Sequence, residues 1–120
     1  MTQPASLQRI EQTLSAMPHL RGVMLTTTRG EVLSSQGSEI AMLEQLASFV
    51  VGLSELSSRL IIESGSGEME SVFLTASQGC VCIQQVGADH LLFALCDESA
   101  SPGLIAHELA WCAQHLHTTH

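Results

Sequence analysis

The chain has 120 residues, 12 acidic against 4 basic side chains, and a formal charge of −8. It contains no lysine, so the GxxxxGK[ST] phosphate loop, Schiff-base chemistry and SxxK hydrolysis are excluded. With four arginines, three phenylalanines, one tryptophan and no tyrosine, it also lacks the basic charge and stacking platforms that nucleic acids require.

The length suits one domain spanning 1–120, with an ordered core from about residue 6 to 117. Leu7, Ile10, Leu14 and Met17 form one apolar stripe, which predicts a first helix capped by Ser6 and stopped at Pro18. Val23–Thr27 reads as a strand, Thr28-Arg29-Gly30 as a turn, and Glu31–Ser34 as a short returning strand. Gln36-Gly37-Ser38 is read as a break. The longest element follows, a helix from Glu39 to about Ile62, roughly 36 Å long. Three apolar runs then come in quick succession, Ser71–Ala76, Cys80–Val86 and His90–Cys96. Short glycine-bearing turns separate them, which makes an antiparallel meander. Ser101-Pro102 opens a last helix with Ile105, Leu109, Cys112 and Leu116 as its stripe.

The predicted order is αββαβββα, an α+β fold. It has an antiparallel five-stranded sheet, the long helix on one face and two shorter helices on the other.

Two features predict self-association. On the long helix, Met42, Leu43, Leu46, Phe49, Val50, Leu53, Leu56, Leu60 and Ile61 fall in an arc of roughly 140°. Such an arc is wider than one sheet can cover, and leaving four such side chains wet would forfeit roughly 6–12 kcal/mol. Ser48, Gly52, Glu55 and Arg59 lie on the opposite side, Glu55 and Arg59 at ion-pair spacing. Mid-helix Gly52 costs about 1 kcal/mol against alanine, which close approach of another backbone would offset. The strand Ser71–Ala76 is the second feature. If the first hairpin pairs with the last strand, it lies at a sheet edge with no charge, lysine or proline to protect it. Pairing with a symmetry mate would satisfy it. The expected dimer interface is therefore Leu46, Phe49, Val50, Leu53, Leu56, Leu60, Val72 and Leu74. The expected partner-binding strip is Ser48, Gly52, Glu55 and Arg59.

The pattern resembles the Roadblock family of dynein light chains and GTPase regulators. The resemblance is carried by Met17-Pro18-His19-Leu20-Arg21-Gly22-Val23-Met24-Leu25 leading into Arg29-Gly30-Glu31-Val32-Leu33, and by the long helix ending before Gly65-Ser66-Gly67-Glu68. It continues through Val81–Leu95 and Ser101-Pro102-Gly103-Leu104-Ile105. It implies a profilin-like fold and a dimer joined through the long helix and third strand, giving a ten-stranded sheet. It also implies a role as a platform for a Ras-like small GTPase. Thr27-Thr28-Arg29-Gly30 departs from the family pattern, where an acidic residue often leads this turn.

Little points to catalysis, and neither catalytic residues nor a cofactor are expected. His107-Glu108-Leu109-Ala110-Trp111 begins like a zinc helix, but Trp111 stands where the second histidine is needed. Glu108, Cys112 and His115 share a helix face, a weak ligand set, and no metal is expected. Cys80, Cys82, Cys96 and Cys112 read as small buried hydrophobes. Arg29, at a turn tip, is the residue a GTPase-activating role would use. No apolar run reaches the ~18 residues of a membrane span, and Met1–Ser6 lacks secretory-signal character. A cytoplasmic homodimeric adaptor is therefore expected, with a small-ligand sensor or a GTPase-activating protein as alternatives.

Overall fold

Alternation of side chains along each strand decides which face it covers. The computed structural model describes residues 19–37 and 40–118, with side chains described through residue 114. The strands are β1 (Leu20–Thr27), β2 (Val32–Gly37), β3 (Ser71–Ala76), β4 (Gly79–Val86) and β5 (His90–Asp97). The helices are α1 (Ile40–Glu63) and α2 (Pro102–Thr118). The helix expected over Leu7–Met17 lies outside the described residues, as do Arg9 and the side chain of His115.

The sheet order is β2-β1-β5-β4-β3, with every neighbouring pair antiparallel. The predicted five-stranded architecture is therefore present, and β3 does lie at an edge. Two boundaries differ from expectation. β1 begins at Leu20, and β2 runs on through Gln36 and Gly37, which pair with Val23 and Gly22. The eight-residue β1 offers ladder partners that far, so the expected break at Gln36-Gly37 is strand instead. At the entry to β1, His19 takes a positive φ of 71°. Its carbonyl accepts the Asp97 amide at 2.9 Å, and its Nδ1 lies 3.4 Å from Asp97 Oδ2.

Each face of the sheet carries its own core. On one, Val23, Leu25, Cys82, Leu92 and Ala94 pack against Ile105, Leu109 and Cys112 of α2, and the lone tryptophan, Trp111, is half-buried beside them. On the other, Met24, Ile83, Leu91 and Phe93 meet Leu43, Ala47 and Val50 of α1. The long helix thus covers one face and the last helix the other, as predicted.

All four cysteines are reduced and buried. Cys80 and Cys82 share the α2 face, as their two-residue spacing requires. Burial pushes the Cys82 and Cys112 thiols from 9.0 to about 11. It pushes Cys96 to about 12, with further help from neighbouring Cys80. Thiols held this firmly protonated are poor nucleophiles. The folded chain keeps these protons to higher pH than the unfolded chain. Their contribution to stability is therefore complete below about pH 9 and falls as pH rises through 11 to 12. Denaturant titrations at neutral pH and near pH 11 are expected to show that loss. A thiol reagent at neutral pH should label the four cysteines only after unfolding.

Candidate docking surface

The apolar arc of α1 divides into two stripes. Leu43, Ala47, Val50 and Ser54 recur at i, i+4, i+7 and i+11 and are buried on the sheet. Beside them Phe49, Leu56 and Leu60 are 73%, 68% and 68% exposed. Between the two stripes, Leu46 and Leu53 are half-buried against the α1-side core. Val50 is a correction to the expected interface. At 3% exposure it is committed to the chain's own core and has no surface left for a partner.

The edge strand β3 also carries apolar residues on the α1 side of the sheet. Val72 and Leu74 pair with Ile83 and Val81, so all four point to the α1 side. Val72 is half-buried and Leu74 exposed. The outer edge of β3 is unpaired within the chain and carries no charged residue. Phe49, Leu56 and Leu60 are thus bare on α1, and Val72 and Leu74 lie on the α1 side of the edge strand β3. Burying Phe49, Leu56, Leu60 and Leu74 would be worth roughly 6–12 kcal/mol.

Two apolar stripes on one helix also raise its hydropathy. The 24-residue α1 reaches a mean hydropathy of 1.3 over 18 residues, long and apolar enough by that measure to span a membrane. This corrects the expectation that no segment qualifies. The value arises because α1 is apolar both where it packs on its own sheet and on the adjoining flank.

Ser48, Gly52, Glu55 and Arg59 are all exposed along the outer side of α1. A side chain at Gly52 would meet no atom of this chain within 4 Å, so nothing in its own fold calls for glycine there. Glu55 and Arg59 do not form the expected ion pair. Both sit in water, where the entropy of holding two long side chains together offsets the weak attraction. Instead they border an open groove of about 630 Å³, enclosed by the second half of α1 and the β1–β2 and β4–β5 turns. Neither this groove nor Ser54, a serine on an otherwise apolar stripe, emerged from the sequence reading. The serine's place at i+11 from Leu43 was the available signal.

Arg29 is exposed at the tip of the β1–β2 turn. Thr27 Oγ1 braces that turn by accepting the Arg29 and Glu31 amides, each at 3.2 Å. The Thr28 amide donates to the Asp89 carbonyl at 2.9 Å, which ties this turn to the β4–β5 turn. Cys80 and Cys96 border a second shallow depression. Cys82 does not reach it. Among the described residues no group of three or more His, Cys, Asp or Glu side chains could hold a metal ion.

Thr26 is fully buried on the α1 side of β1, and its Oγ1 has no hydrogen-bond partner. A buried hydroxyl left unpaired costs its full desolvation. Thr26→Val keeps the shape and removes the orphan, so it is expected to stabilise the fold by about 1–2 kcal/mol. Urea denaturation of the two proteins measures the difference.

A five-stranded antiparallel sheet with a helix on each face defines a profilin-like α+β domain. A family model described as the Roadblock/LC7 domain matches residues 7–95, and the chain belongs to that family. Its fold is similar to a Roadblock/LC7 domain from Streptomyces avermitilis, at TM-score 0.81 and 18% identity, covering 90% of this chain and 91% of that one. It is likewise similar to MglB of Myxococcus xanthus, at TM-score 0.79 and 21% identity, covering 95% and 90%. An MglB structure with a tetrameric arrangement gives TM-score 0.82 and 20% identity, covering 96% and 87%. No curated protein matches the chain by sequence.

Proposed function

We propose that the chain is a cytoplasmic, homodimeric, non-enzymatic adaptor that binds a Ras-like small GTPase across its paired long helices. The observation that carries this reading is the bare apolar surface of Phe49, Leu56 and Leu60 on α1, together with exposed Leu74 on the unpaired β3 edge. Two copies would bury it about a two-fold axis and extend the sheet. Family membership, and the tetrameric arrangement of a similar MglB, support self-association. The outer strip of Ser48, Gly52, Glu55 and Arg59 then lies beside its symmetry mate and serves as the partner-binding surface. Each copy carries −8, which favours a partner with a basic face and makes docking salt-sensitive.

The test is capture from native cytosol with the wild-type chain and with Glu55→Lys/Arg59→Glu, followed by nucleotide turnover of the recovered protein. The reading expects a small GTPase retained by the wild type and lost by the variant. Recovery of no GTPase, or equal recovery by both, would refute it.

A further inference from the structure

The antiparallel ladder sets one pair of thiols opposite each other. Cys80 of β4 is the register partner of Cys96 of β5, and both side chains belong to the α2-side core. The Asp97 amide donates to the His19 carbonyl, so Asp97 turns its backbone groups toward β1 and the preceding Cys96 turns its own toward β4. Cys80 and Cys96 are then a hydrogen-bonded pair of the ladder, with Cα atoms about 5.5 Å apart. A disulfide spans Cα separations of roughly 4.4–6.8 Å. A Cβ built on Gly79 would press on the Cys96 carbonyl, so β5 crowds β4 right beside Cys80. A hydrogen bond with Cys80 is among the causes that push the Cys96 thiol up.

The other two cysteines are not set up in this way. Cys82 faces Ala94 across one ladder and Phe73 across the other. It lies diagonal to Cys96, at roughly 7–8 Å, and its side chain runs parallel to that of Cys80. Cys112 is on α2, where Glu108 and no other cysteine acts on its thiol. Access also singles out one pair. Cys80 and Cys96 border the shallow depression of about 420 Å³, and Cys82 and Cys112 do not. Cys80, at 7% exposure, is the outer of the two, and Cys96 lies wholly inside.

We propose that Cys80 and Cys96 are a reversible disulfide site oxidised by hydrogen peroxide. Peroxide, barely larger than water, enters through the depression. Its O–O bond breaks on the Cys80 sulfur, leaving a sulfenic acid and one water. The Cys96 sulfur then displaces the hydroxyl from Cys80, forming the S–S bond, and the Cys96 proton leaves with that hydroxyl as a second water. The two thiols together lose two electrons, and the peroxide is reduced to two waters. A bulky alkylating reagent stays outside until the chain unfolds. The proposal does not depend on the adaptor reading, because oxidation is measured on the purified chain with no GTPase present.

The test treats the folded, reduced protein with hydrogen peroxide at neutral pH, blocks the remaining thiols after unfolding, and maps peptic peptides by mass. A cross-link between Cys80 and Cys96 is expected, lighter by two hydrogens and reversed by dithiothreitol, with Cys82 and Cys112 still free thiols. The oxidised protein should melt roughly 5–10 °C above the reduced one, because the bridge closes a loop in the unfolded chain. Cys82→Ala should keep the cross-link, and Cys80→Ala or Cys96→Ala should abolish it. The wild-type map decides the matter even where a variant fails to fold. Absence of a cross-link, or one through Cys82 or Cys112, overturns the proposal. So does an oxidised protein that melts no higher than the reduced one.

Discussion

Leu56→Asp/Leu60→Asp is expected to sediment as a folded 12.8 kDa monomer at concentrations where the wild type, on the proposed reading, dimerises. Both side chains are 68% exposed on the isolated chain, so a carboxylate at either position meets water and barely perturbs the fold. In the dimer the same two positions lose roughly 3–6 kcal/mol of apolar burial. Shutting two carboxylates away from water adds several kcal/mol more. At about 1.4 kcal/mol per factor of ten, dimerisation should weaken by at least four orders of magnitude. Sedimentation equilibrium, with a thermal melt of the same samples, checks association and folding separately. A wild-type chain that stays monomeric at micromolar concentration would remove the proposed platform. A variant that still dimerises would move the interface elsewhere.

The second large effect is expected at Gly37, the last residue of β2, three positions before α1 begins. Gly37 has φ +131° and faces Gly22 across the ladder. A Cβ there would press on the Arg21 carbonyl and lie 2.6 Å from Gly22 Cα, and neither backbone atom can rotate away. Gly37→Ala should therefore cost about 3 kcal/mol, combining a backbone conformation foreign to alanine with a main-chain collision. Gly103→Ala, where an added carbon meets nothing within 4 Å, is the control and should melt at or slightly above the wild type. A Gly37→Ala protein that melts with the wild type would mean that the β1–β2 edge shifts freely to admit the side chain.

How much of this was legible in the residues differs by element. The apolar run Ser71–Ala76 marked β3 to the residue, and the glycine-bearing turns on either side of β4 marked the meander. The wide arc on α1 announced more apolar surface than one sheet can hold, and Phe49, Leu56 and Leu60 are bare as that argument requires. The angular position of Val50 could not be resolved in the same way. It lies within the arc, but whether a residue there faces the sheet or the flank depends on how α1 is rotated about its axis, which the packing of Leu43 and Ala47 decides. The groove was hidden for a related reason. Its lining comes from α1, two turns and the segment around Met69, which are distant in sequence, so no local spacing could betray it. Gln36 and Gly37 carry turn-like composition, and only the length of β1 makes them strand.

Trp111 packs against the α2-side core, with the whole thickness of the sheet between it and the bare flank of α1. The molecule thus carries a single intrinsic fluorophore that senses collapse of its thiol-rich half and is shielded from events at the opposite half. Indole emission should follow denaturation faithfully and stay nearly constant while copies or partners assemble. Quenching by a soluble agent would then give a dye-free way to separate loss of structure from loss of assembly in any variant of this chain.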